Sequence, residues 1–300
     1  MSGSCRWASS LIAIAMLAGC SDTSPPSIVP QQEVAAKIRL AISEAGSGES
    51  DDEGAVEAVR TGWATIKGRF LVEGTAPTPG RLTVNRDQEA CAPGGEAPLD
   101  PSIKVAADGS LANVVVYIRG LSGENVHESA ATPASDTVEF DQKQCVFLTH
   151  VCPLQVGQTL LILNSDSVGH NTKIGTRANP EINVTLSVGD KATFVPHKPE
   201  KVPAPVVCSI HPWMKAYVFP RATGYVSVSG EDGTFEIKNV PAGIDLSVQV
   251  WHETLKKFEK IDVNGEQVTW KRGAVKLGTP LEPDEVRELT VKIPAKLFGS

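Results

Sequence analysis

Aromatic residues make up only 5% of this 300-residue sequence, and histidine occurs just six times. Basic side chains are also in deficit, with 28 Lys and Arg against 35 Asp and Glu and a formal net charge of −7. That balance disfavours binding of nucleic acid through its phosphates. The apolar run at residues 11–17 is too short to span a bilayer, which takes about 20 residues of helix. Helical periodicity is missing as well: beyond residue 60 no sustained 3.6-residue repeat of apolar positions occurs, which argues against a helical body. Val, Ile, Leu and Ala are nonetheless plentiful, and the roughly 240 residues beyond that point suffice for two small cores.

What is present is a series of short alternating runs bounded by Gly, Pro and Asp, at 65–72, 111–119, 137–140, 156–163, 193–195, 224–228, 234–237, 246–251 and 288–293. They predict an all-β body built of sandwiches. Ahead of it, Arg6, the apolar run and Leu17-Ala18-Gly19-Cys20 form an export signal over residues 1–20. Its ending resembles the lipobox of bacterial lipoproteins. That implies a lipidated Cys20 and an exported chain anchored to a bacterial membrane, facing the periplasm or the cell exterior. Residues 21–60, with the acidic stretch 46–54, read as a flexible tether, interrupted by a short amphipathic helix over 32–45.

The chemistry is concentrated in Cys208-Ser209-Ile210-His211-Pro212-Trp213-Met214 and in Gly169-His170-Asn171 upstream. A thiolate, two imidazoles and a weak axial thioether are the donors of a mononuclear blue-copper site. Cys208, His170, His211 and Met214 supply that set. The runs at 202–207 and 216–219 read as strands entering and leaving the loop, so three ligands share one tight turn and the fourth comes from a distant strand. At these residues the sequence resembles the cupredoxins: Cys-x2-His-x2-Met is the short, amicyanin-type version of a loop that is longer in plastocyanins. The likeness covers about residues 134–222 and implies a Greek-key β-sandwich holding one type 1 copper ion. It also implies that Asn171 ties the two ligand loops together and that the His211 edge is the electron port, beside Pro212 and Trp213 as a docking patch. Pro212 stiffens the loop by fixing its own φ.

A second likeness lies outside that region. Glu231-Asp232-Gly233-Thr234-Phe235-Glu236-Ile237-Lys238-Asn239-Val240-Pro241-Ala242-Gly243 resembles a hairpin of carboxypeptidase regulatory-like, transthyretin-type sandwiches, and 65–70 resembles that family's opening strand. The hairpin follows the copper region and the strand precedes it. We therefore expect a discontinuous sandwich, 61–133 plus 223–300, hosting an inserted cupredoxin at 134–222; two sequential domains cut near 222 are the alternative. The host carries no catalytic signal.

Cys91, Cys145 and Cys152 are left after the lipid and copper cysteines are assigned. They allow one disulfide, Cys91 to Cys145 or Cys145 to Cys152, or a second metal site at Cys145, His150 and Cys152. The resulting expectation is a tethered, non-catalytic carrier that exchanges single electrons with a protein donor and acceptor. A copper chaperone or store is the alternative, as is a surface-binding lipoprotein without redox function. A multicopper oxidase is excluded, since its trinuclear cluster takes eight histidines.

Overall fold

The computed structural model describes residues 58–298 apart from 256–259, 272, 276 and 277. The export signal, Cys20, the 32–45 helix and the tether up to residue 57 lie outside the described residues. Among the described residues no helix is long and apolar enough to cross a membrane.

The structure is predominantly β, with two one-turn helices, α1 (Gln88–Cys91) and α2 (Glu128–Ala131). Its strands are β1 (Gly62–Glu73), β2 (Val115–Arg119), β3 (Thr137–Lys143), β4 (Val146–Phe147), β5 (Val151–Gln155) and β6 (Thr159–Asn164). Then come β7 (His170–Ile174), β8 (Ile182–Leu186), β9 (Lys191–Phe194), β10 (Ala204–Val207), β11 (Lys215–Arg221) and β12 (Val226–Val228). The rest are β13 (Thr234–Ala242), β14 (Ser247–Trp251), β15 (Lys260–Val263), β16 (Glu266–Lys271), β17 (Ala274–Val275) and β18 (Val286–Pro294).

These strands form three sheets. One has nine strands in the order β12-β2-β14-β17-β16-β15-β18-β1-β13, so it draws on both flanks of the sequence and on none of β3–β11. The others are β5-β11-β10-β7-β8 and β4-β3-β6-β9. β1 lies between β13, antiparallel, and β18, parallel, and its alternating Ala64, Ile66, Phe70 and Val72 point into one core with Val116, Ile118, Ile237 and Ile293. Gly68 is required there, because a Cβ would collide with the Leu289 carbonyl of β18. The Asp232-Gly233 turn enters β13 with Gly233 at φ 76°, a backbone state open to glycine at no steric cost.

Phe140, Leu160, Ile162 and Phe194 of the four-stranded sheet pack against Ile174, Val206, Ala216 and Val218 of the five-stranded one, which makes a two-layer sandwich. A third cluster joins the two bodies: Val115 and Tyr117 of β2 meet Val151, Tyr217 and Phe219. β2 and β11 are therefore apolar on both faces, each strand serving one core with its even positions and another with its odd ones. Each such buried side chain contributes about 1.5–3 kcal/mol.

Several strand boundaries differ from those expected. Val156–Gln158 is a turn around Gly157 at φ 86°, so β6 starts later than its apolar run. β7 has no apolar alternation to announce it, because His170, Asn171 and Thr172 are polar and buried.

Candidate metal centre

β10 and β11 pair antiparallel up to Val207 opposite Lys215, and the seven residues between them are the Cys208–Met214 loop. The loop is closed internally: Cys208 N–H donates to the Met214 carbonyl at 3.3 Å, and Met214 N–H to the His211 carbonyl at 2.9 Å. β7 pairs with the other edge of β10, through Val207 opposite Lys173, which brings its first residue, His170, to the same end of the sheet. The four sequence-predicted ligands are all buried, with His170 and His211 at 0% exposure and Cys208 and Met214 at 1%.

One ligand atom each from His170, Cys208 and His211 lies within 4.8 Å of the other two. The two Nδ1 atoms stand 2.9 Å apart, and Cys208 Sγ is 3.9 Å from His211 Nδ1. Backbone N–H groups of Asn171 and His211 point at Sγ from 3.3 and 3.4 Å, donors suited to a thiolate. The Asn171 side chain does link the loops: its Oδ1 accepts from Ser209 N–H at 3.1 Å, while its Nδ2 donates to Asn183 Oδ1 at 2.7 Å and to the Val184 carbonyl at 3.0 Å. Asn164, closing β6, fixes the approach to His170 by donating to the Val168, Leu186 and Ser187 carbonyls.

Two carboxylates complete the site, and the sequence offered no direct signal for either. His170 Nε2 meets Asp166 Oδ2 at 2.9 Å, and His211 Nε2 meets Asp87 Oδ2 at 2.8 Å. Asp166 also accepts from Cys145 N–H at 2.6 Å. Burial works against its charge, but the hydrogen bonds from Cys145, His170 and Ser167 together hold its carboxyl below the usual range. Burial also pushes the His170 pKa down, against the pull of Asp166.

The donor set fits a metal ion. A carboxylate oxygen can only accept, so each Nε2 carries the proton and each Nδ1 of a neutral ring presents a lone pair. Two such lone pairs, together with a sulfur, converge on one buried point. A cation would relieve that arrangement, as a proton shared between the two Nδ1 atoms also would, and carboxylate–imidazole–metal relays are the usual way of orienting a metal-bound ring.

The remaining predicted residues fall elsewhere. Cys91 and Cys145 form a disulfide, and Cys152 is a free, buried thiol pushed up to about 12 by burial. The set Cys145, His150 and Cys152 is not brought together as a metal site: the disulfide occupies Cys145, and His150 Nε2 pairs with Glu253. Pro212 is exposed, whereas Trp213 is half-buried, 5.0 Å from the His211 ring, with its Nε1 donating to the Cys145 carbonyl at 3.1 Å. The His211 edge does not face solvent as the resemblance implied, because Asp87 stands over it.

No protein-family model and no curated protein matches this sequence. Solved structures that resemble it include a reduced Cu(I) amicyanin variant at pH 4, with 18% identity over 30% of this chain and 88% of that one, and a TM-score of 0.26. An oxidized amicyanin variant is 16% identical over 31% of this chain and 89% of its own, again with a TM-score of 0.26. A further Cu(I) variant of amicyanin matches over 35% of this chain and 98% of its own, with 16% identity and a TM-score of 0.26.

Proposed function

We propose that this chain is an exported, membrane-tethered blue copper protein that transfers single electrons. The observation that carries the reading is the convergence of two imidazole Nδ1 atoms and one thiol sulfur on a buried point, next to a buried methionine. Cys208, His170 and His211 are the strong donors, and Met214 the weak axial one. Copper bound there would supply one-electron chemistry by alternating between Cu(II) and Cu(I).

The chain's own part is to keep its ligands still. Asn171, Asn164 and the two carboxylates hold both ligand loops by hydrogen bonds, so the donors keep their places whatever the charge between them. A carrier also fits better than a catalyst, since all four donors are at 1% exposure or less. The same burial argues against a store that releases its ion readily. The nine-stranded sheet, assembled from both flanks, supports reading 61–133 and 223–300 as one domain interrupted by 134–222. The Leu17-Ala18-Gly19-Cys20 ending supports the tether.

An absorbance scan of the copper-loaded protein tests the redox reading: an intense visible thiolate-to-Cu(II) band is expected. Oxidised copper bound without that band would sink it. For the tether, a Cys20→Ala variant should move from the membrane fraction to the soluble one.

A further inference from the structure

The carboxylate behind His211 comes from the part of the chain preceding β2. The Asp87 that meets its Nε2 sits at φ 48°, ψ 42°, in the left-handed region that few residues other than Gly, Asn and Asp visit readily. Its carbonyl accepts from Ala90 N–H at 3.0 Å and Cys91 N–H at 2.9 Å, which starts α1. Four residues beyond Asp87, Cys91 is bonded to Cys145, whose N–H holds Asp166 against His170. One buried disulfide thus anchors the carboxylates behind both imidazoles. The outer side of Asp87 is 41% exposed and borders an open cleft lined by Gln88, Glu89, Ala90, Ser167 and Val168.

We infer that Asp87 is a charged cap on the metal centre: it seals the His211 edge from solvent, and its carboxylate strengthens that imidazole as a donor and favours the oxidised ion. The physical reasons are two. A carboxylate accepting from the far nitrogen of a ligand ring raises the ring's basicity. A fixed negative charge beside the site stabilises the dication more than the monocation, and the largely dry surroundings of His211 weaken the screening of that charge. The region outside the cupredoxin-like sandwich is therefore part of the centre rather than a support for it. The second half of this inference rests on copper occupying the site; the first does not.

Two variants separate charge from cover. Asp87→Asn keeps the shape, still accepts from Nε2 and tolerates the left-handed backbone, whereas Asp87→Ala opens the ring. In the copper-loaded full chain, Asp87→Asn should keep the visible band and shift the Cu(II)/Cu(I) equilibrium towards Cu(I) by tenfold or more, which is 59 mV for a one-electron couple. A shift under twofold with the band intact overturns the charge role. In the copper-free protein, diethylpyrocarbonate labelling followed by peptide mapping reads the cover. His211 should be labelled at least tenfold faster in Asp87→Ala than in the wild type, and no faster in Asp87→Asn. Equal rates in wild type and Asp87→Ala overturn the seal. A wild-type protein that binds Cu(II) without the band removes the copper reading and the charge role with it, while the labelling result stands on its own.

Discussion

Replacing both Cys91 and Cys145 with alanine removes the tie between the segment that bears Asp87 and the sandwich that holds the candidate metal ligands. The two cysteines are 54 residues apart in sequence. In the chain-entropy account, a loop of that length costs the unfolded ensemble about 14 cal/mol/K, or about 4 kcal/mol at 25 °C. Both sulfurs are fully buried, so their loss from the core adds to the deficit rather than offsetting it. The assay is urea unfolding of the copper-free protein, since a bound ion would add its own stabilisation to the folded state. With an m-value of about 3 kcal/mol/M, the midpoint should fall by about 1.3 M. Wild-type protein unfolded and refolded under reducing conditions should fall by a similar amount. A drop below about 0.3 M, or roughly 1 kcal/mol, would refute the reasoning, because it would mean the loop is already closed by other contacts before the bond forms.

Asn171→Ala strips the Ser209 N–H of its acceptor and unties the two ligand loops, so a loss of about 1–3 kcal/mol in unfolding free energy is expected, with a broadened visible band in the copper form. Met214→Leu should keep the colour and shift the potential, as an axial donor tunes the ion more than it holds it; a colourless variant would show that Met214 does more. Acid should destabilise the protein in two stages. Burial lowers the His252 pKa from 6.5 to about 4, so the unfolded chain takes up that proton first and stability declines as pH drops below 6.5. For Glu253, burial opposes ionisation, but the hydrogen bonds from His150 and Lys215 prevail and lower its pKa from 4.5 to about 2. Its contribution, about 3 kcal/mol, is complete above pH 4.5 and vanishes as pH falls towards 2. Denaturation midpoints measured from pH 7 to 2.5 check this, and Glu253→Gln should flatten the curve below pH 4.5.

The ligand loop was legible because its information is local: seven residues hold three donors and lie between two apolar strands. Asn171 was legible for the same reason, being next to His170. Asp87 could not be found this way, as it lies 124 residues from the ring it meets and is brought there by a turn and a disulfide. Asp166 left a faint trace four residues before His170, yet carboxylates at that spacing are common in loops. β7 escaped because a strand that buries His170, Asn171 and Thr172 has no apolar alternation to show. For Trp213 the sequence leaves open packing inside the loop or a place on a docking surface beside His211; its indole N–H donates to the Cys145 carbonyl and its half-buried ring lies beside His211. The host region carries no catalytic signal in its sequence, although Cys91 stands there as a candidate partner of Cys145. Its contribution is a single aspartate and a single cysteine, neither in any motif.

The parallel pairing of β1 with β18, Thr65 opposite Val286, sets an order in time. As the chain is made, β1 must wait on one edge for β13 and on the other for β18, so its sheet is among the last parts to close. All four candidate donors and both layers of the sandwich around them have been synthesised by then. The two sheets of that sandwich use only β3–β11, so it can close on itself before the sheet that hosts it does.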